Sequence, residues 1–216
     1  MKRLPVIFIM LLVFCLCACN VQEKPAATTA QPTTQSTEVP LTETTLSEQI
    51  TLPLPEETAE FSFLSGAGGW RTMMTVNRDG SFTGYFQDSE MGEASDAYPH
   101  GSVYICDFSG KFTGIEQVNE YTFRMFLSNV STEQKPGDEW IQDNIRYVAS
   151  EPHGIEEGHE FLFYLPDTPI DQVPEEFLIW WPYRYDQTTD VKSTLLCYGI
   201  LNTATNYGFF FTEEIY

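Results

Sequence analysis

The pattern that most narrows the possible folds of this chain is an alternation of period two, interrupted by a tight turn. Trp70 to Asn77 and Ser81 to Asp88 both alternate, and Arg78-Asp79-Gly80 stands between them. In the second run Phe82, Gly84 and Phe86 share one face, while Thr83, Tyr85 and Gln87 share the other. A strand sends successive side chains to opposite faces, so the pattern predicts a half-buried hairpin rather than a helix. Asp-Gly supplies the positive φ angles that such turns demand.

Further runs rich in aromatic and β-branched residues lie at 102–108, 111–112, 121–129, 144–149, 160–165, 194–201 and 208–212. Each is bounded by turn-forming residues, as strands are. Helical patterning is confined to Pro174-Glu175-Glu176-Phe177-Leu178-Ile179-Trp180, where proline suits the first turn and two glutamates suit the positive end of the dipole. About eight or nine short strands and one short helix predict a single all-β domain, an antiparallel β-barrel or sandwich. Closure into a barrel, with a lipocalin-like arrangement as one form, would remove exposed strand edges. A small barrel either packs its interior or holds one small ligand. Trp70, Tyr85, Tyr98, Tyr104, Trp180, Trp181, Tyr183 and Tyr185 could serve either purpose, with core filling expected of any single one.

These runs occupy residues 60–216, a length that suits one domain around one core. The preceding segment, Asn20 to Ala59, is rich in Thr, Pro, Gln and Glu and has no aromatic residue. It buries too little apolar surface to offset its ordering entropy, so 19–59 is expected to be a disordered stalk. A flexible coil of that length reaches about 35 Å.

The N-terminus indicates what the stalk is attached to. Lys2 and Arg3 precede an apolar run from Val6 to Leu16, the pattern of a secretory signal. The run is shorter than the roughly 20 apolar residues that a membrane-spanning helix needs. It ends in Leu16-Cys17-Ala18-Cys19, which resembles the lipobox of bacterial lipoproteins. The resemblance implies that residues 1–18 are a signal peptide cut after Ala18. It also implies that Cys19 becomes a diacylglyceryl cysteine carrying fatty acyl chains of the palmitate class. A thiol is the nucleophile able to take the lipid as a thioether, and two chains are what stable anchoring needs. The expected location is thus the extracytoplasmic face of the cell membrane, with the membrane itself as partner through the lipid on Cys19.

The formal net charge of −20 bears on partners. Phosphate binding needs a basic surface, so nucleic acid is not an expected partner. An anionic membrane would repel the body, which leaves the lipid to hold it there. Of five cysteines, Cys106 and Cys197 alone lie in the body. Paired, they would close a loop worth about 4 to 5 kcal/mol; the apolar runs around both favour two free buried thiols.

Several segments carry candidate chemistry. Asp88-Ser89-Glu90-Met91-Gly92-Glu93-Ala94-Ser95-Asp96 gathers carboxylates that a hard cation could use, but it lacks the ligand spacing of an EF-hand and is read as a solvated acidic loop. His153 and His159 flank Glu156 and Glu157, yet Gly154 and Gly158 argue against the helix that usually presents such pairs to zinc, so a polar connector is expected. Ser65-Gly66-Ala67-Gly68-Gly69-Trp70 precedes a strand rather than a helix, so it lacks the N-terminus a phosphate loop requires. No nucleophile elbow of the G-x-S-x-G type is present. Accordingly no metal and no cofactor is assigned. Trp70, Asp88, Glu90, Tyr98 and His100 are retained as candidate binding residues.

The body also resembles a family of secreted and lipid-anchored proteins of Gram-positive bacteria. The resemblance is carried by FLSGAGGWRTMMTVNRDGSFTGYFQDSEMGE (Phe63 to Glu93), YPHGSVYICDFSGKF (Tyr98 to Phe112) and YLPDTPIDQVPEEFLIW (Tyr164 to Trp180). His100 stands where members more often carry Asn. The family has no assigned activity, so the resemblance implies a compartment and a compact β-rich fold but no catalysis. The expected function is a non-catalytic binding module for a small molecule, a glycan or other cell-wall fragment, or a protein. One alternative is a hydrolase with His100 and the acidic loop as its centre, which requires His100 to meet Asp88 or Glu90. Another is a structural partner in an envelope complex, which a contiguous apolar surface patch would mark.

Overall fold

The computed structural model describes residues 50–66, 68–184 and 192–211. Cys19, Tyr185, Thr212 and most of the expected stalk lie outside them. Ten strands follow in order: β1 (Thr58–Leu64), β2 (Trp70–Asn77), β3 (Ser81–Glu90), β4 (Ser102–Gln117), β5 (Thr122–Thr132), β6 (Glu139–Gln142), β7 (Ile145–Ala149), β8 (Glu160–Tyr164), β9 (Gly199–Asn202) and β10 (Tyr207–Phe211). Eight of them close into an antiparallel barrel in which every neighbour follows in chain order. The ring runs β1-β2-β3-β4-β5-β8-β9-β10 and returns to β1. The β6-β7 hairpin lies outside this ring, where β7 runs parallel to the first residues of β4. A 3-10 turn (Ile170–Gln172) precedes one short helix, α1 (Glu175–Leu178).

The barrel is tight because phenylalanine and glycine face one another across β3 and β4. Phe82 opposes Gly110 and Gly84 opposes Phe108. A Cβ on Gly84 would come within 2.5 Å of the Phe108 ring, and one on Gly110 within 2.4 Å of the Phe82 ring. Each ring thus lies over its partner's backbone, and two large side chains share one layer without colliding. Farther along, a register shift between Thr113 and Glu116 accompanies Gly114 at φ 60°. Such bulges sharpen a strand's bend and help a sheet curl shut. β4 pairs with β3 from Ser102 to Lys111 and with β5 from Phe108 to Gln117.

The interior is filled rather than hollow. Phe61, Phe63, Phe82, Phe112, Phe161, Phe163 and Phe209 are buried there with Met74, Met125 and Ile200. Full burial of such side chains contributes about 1.5–3 kcal/mol each. The connection from β7 to β8 then plugs one mouth of the barrel. Thr72 Oγ1 donates to the His153 carbonyl at 2.8 Å, and Asn202 Nδ2 donates to the Gly154 carbonyl at 2.8 Å. Both side chains are fully buried, so these bonds satisfy polar atoms that water cannot reach.

A second core lies on the outer face of β8, β9 and β10. Phe177 of α1 packs with Tyr164, Leu201 and Phe210, and is joined by Val173, Trp181, Leu195 and Cys197. Gly199 and Gly208 let it settle, since a Cβ on either would stand 2.8 Å from its ring.

Three expectations require correction. The folded domain begins before residue 60: Leu52 and Leu54 are buried in the core, and β1 starts at Thr58. Two leucines and an alanine in a proline-containing context show too little periodicity to be separated from a stalk. Next, the β2-β3 hairpin uses a three-residue loop in which Gly80 alone takes positive φ, at 83°. The β6-β7 hairpin has the true two-residue turn, with Asp143 and Asn144 at φ 51° and 64° between Gln142 and Ile145. Asn144 is therefore turn rather than strand. Finally, 102–108 and 111–112 belong to one strand, and the last sheet strands start at Gly199 and Tyr207.

Candidate functional site

With the interior packed and one mouth plugged, the outer wall is where another molecule can be met. Strand register decides which side chains stand together there. Glu60, Thr75, Thr83, Ser109 and Ser131 are direct cross-strand partners in succession and form one row over β1 to β5. Met73, Tyr85 and Asp107 form the neighbouring row, and the Glu133 N–H, donating to the Asp107 carbonyl at 2.9 Å, extends it. Together the rows line a groove of about 410 Å³. Among the described residues no ion pair engages Glu60, Asp107 or Glu133. The groove thus offers carboxylate acceptors and a line of hydroxyls that donate and accept, beside the ring of Tyr85 and the thioether of Met73. Arg71 sits over the Tyr85 ring, 5.4 Å from its centroid, and holds that ring in place.

The residues singled out from sequence do not form one site. Trp70 and Asp88 are direct partners across β2 and β3, and Glu90 opposes Ser102 across β3 and β4. Trp70 belongs to the aromatic mouth, with Phe63 at 4.7 Å and His153 at 4.9 Å between ring centroids. Tyr98 lies under Arg146 at 5.2 Å. Arg146 pairs with Glu93 at 2.7 Å, and Glu93 accepts a hydrogen bond from Tyr104 at 3.0 Å. The acidic loop is thus tied down by one arginine and one phenol. His100 is exposed, and its Nδ1 donates to the Asp143 carbonyl at 3.3 Å. Among the described residues no hydrogen bond or ion pair joins it to Asp88 or Glu90, which is the contact a hydrolytic centre would need.

The plug has electrostatics of its own. His153 is ringed by Phe63, Trp70, Phe86 and Tyr207, with centroids between 4.9 and 5.6 Å away. Its Nδ1 lies 3.2 Å from a Glu156 carboxylate oxygen and donates to it. Burial works to raise the Glu156 carboxyl, but the His153 hydrogen bond and the local backbone N–H groups outweigh it and hold the carboxyl below its ordinary range. Cys106 and Cys197 are free, buried and in different cores. Burial, reinforced by Glu151, Asp107 and Glu156, pushes the Cys106 thiol up to about 12, and burial pushes Cys197 up to about 11. Neither is a thiolate at neutral pH, so neither is an activated nucleophile. Among the described residues no group of three or more His, Cys, Asp or Glu is gathered for a metal ion. Nor is any described helix long and apolar enough to cross a membrane.

No family model matches this chain, and neither does any curated protein or solved structure. The groove went unread in the sequence for a physical reason. The outward positions of Thr83 and Tyr85 follow from alternation, but alignment with Ser109 and Glu133 depends on register between distant strands.

Proposed function

We propose that this protein is a lipid-anchored, extracytoplasmic recognition module that binds a polar ligand on the outer wall of its barrel and performs no catalysis. The observation that carries this reading is the contrast between an interior filled with phenylalanine and an outer groove of unneutralised carboxylates and aligned hydroxyls. Hydroxyl rows beside an aromatic ring suit a ligand dense in hydroxyl and amino groups, such as an amino-sugar fragment of the cell wall. The resemblance of Leu16 to Cys19 to a lipobox supports the location.

Two experiments test it. Full-length protein in detergent micelles is titrated with soluble wall amino-sugar oligosaccharides and followed by amide chemical shifts. Shifts centred on Thr83, Ser109 and Ser131, weakened at least tenfold by Tyr85→Ala or Asp107→Asn, are expected. Shifts scattered elsewhere, or affinity unchanged by both substitutions, would refute the site. For the anchor, cells fed a tagged fatty acid should label the parent chain and not a Cys19→Ser variant. Equal labelling would remove the lipid from the proposal.

A further inference from the structure

The barrel wall is not hydrogen-bonded along its whole height. β5 pairs with β8 from Thr122 to Phe126, and the Leu127 N–H donates to the His159 carbonyl at 2.9 Å. Beyond this, Asn129 to Thr132 of β5 pair with β4 on one side, and residues 128 to 132 have no backbone partner among the described residues on the other. Instead of a strand, the plug segment faces this edge across a cleft of about 310 Å³. Leu127, Val130, Pro152 and the fully buried Ile155 supply apolar walls, and Glu151 and Glu156 add two carboxylates.

Three properties of the cleft specify its occupant. An unpaired strand edge presents N–H and C=O groups at the spacing of another extended backbone, and so selects peptide. The apolar walls accept alternate aliphatic side chains. The carboxylates select positive charge, and among the described residues no ion pair occupies Glu151. We infer that this edge of β5 captures an extended basic peptide of a partner protein, which adds as a strand and places aliphatic side chains against Leu127 and Val130. Five free residues accommodate a strand of about 17 Å. The chain's own segment 20–49 is a poorer occupant, since it carries four glutamates against one lysine and several prolines. A second copy would bring another −20 of charge to an acidic cleft. This cleft adjoins the outer-wall groove, since Thr132 lines both, but its carboxylates are Glu151 and Glu156 rather than Glu60, Asp107 and Glu133, so substitutions at those carboxylates distinguish failure of one site from failure of the other.

The test uses full-length protein in detergent micelles and a fluorescent acetyl-KVKVKV-amide peptide, read by anisotropy. Saturable binding is expected, at least tenfold weaker for acetyl-EVEVEV-amide and for the basic peptide N-methylated at alternate backbone nitrogens. Glu151→Gln should weaken binding severalfold while leaving thermal stability unchanged, whereas Glu156→Gln also loosens His153 and serves as the second variant. Hydrogen exchange should slow at 128–132 when peptide is bound. Equal affinity for the N-methylated peptide, unchanged exchange at 128–132, or binding indifferent to both glutamate substitutions would overturn the inference. So would concentration-dependent self-association that protects the same amides without peptide.

Discussion

Replacing Thr72 by valine removes one hydroxyl and keeps the shape of the side chain. Thr72 is fully buried on the inner face of β2, and its Oγ1 donates to the His153 carbonyl at 2.8 Å. In Thr72→Val no cavity opens, so the cost is that of a buried carbonyl left without a donor, about 1–3 kcal/mol. With a urea m-value of about 2 kcal/mol/M, the midpoint should fall by roughly 0.5–1.5 M at unchanged m. If the loss is spent on local opening of the plug, it appears first at Cys106, whose strand partner Phe86 packs against His153. Native-state labelling of that thiol should accelerate by about 5- to 150-fold, the same free energy expressed as an opening equilibrium. The assay is urea unfolding by near-ultraviolet circular dichroism, together with thiol labelling in native buffer in a Cys197→Ser background. An unchanged midpoint with unchanged labelling would show that the hydroxyl does not hold the plug, and the account of how the mouth is sealed would be wrong.

Other outcomes follow from the same geometry. Gly154→Ala should destabilise more than Thr72→Val, because φ there is 101° and a Cβ would stand 2.8 Å from Phe209 and 2.9 Å from Phe63; thermal unfolding of the two variants side by side checks this. Phe177→Ala should cost about 3–5 kcal/mol by emptying the second core, and an unchanged melting temperature would refute that core's role. In acid, Glu156 contributes stability above its unfolded pKa of about 4.3 and loses it as pH falls through the lower folded value. Glu156→Gln should therefore flatten the acid limb of a stability profile measured from pH 7 to 3, and an unchanged slope would argue against it. The thiols behave with opposite sign. Their folded values near 12 and 11 lie above the ordinary thiol range, so their contribution is complete at neutral pH and declines only as pH rises toward those values. At pH 8 the Cys106 thiolate fraction should be about 10³-fold below that of the unfolded chain, and fast stoichiometric labelling of the native protein would contradict its burial.

How much could be read in advance depended on the range of the interaction. The β2-β3 hairpin was legible because alternation and a glycine turn act over a few residues. The turn at Asp143-Asn144 carried an equally local signal, two residues that tolerate positive φ, but the strand before it is four residues long and too short for a pattern. β1 was missed although Ala59, Phe61 and Phe63 alternate in it, because the segment leading into it, with Leu52 and Leu54 among prolines, has the composition of the stalk.

The amino-acid order alone settled the class of structure: side chains that alternate and cluster as aromatic and β-branched residues must form half-buried strands. It could not say that Phe82 would lie over Gly110 while Phe108 lies over Gly84, nor that Glu60 and Ser131 would end one row. Those facts belong to register, which is set when distant strands meet and the barrel closes. Whether the centre would be hollow was likewise decided only in three dimensions. The phenylalanines meet there, and the backbone of His153 and Gly154 is drawn across the mouth by two side chains that have nowhere else to donate.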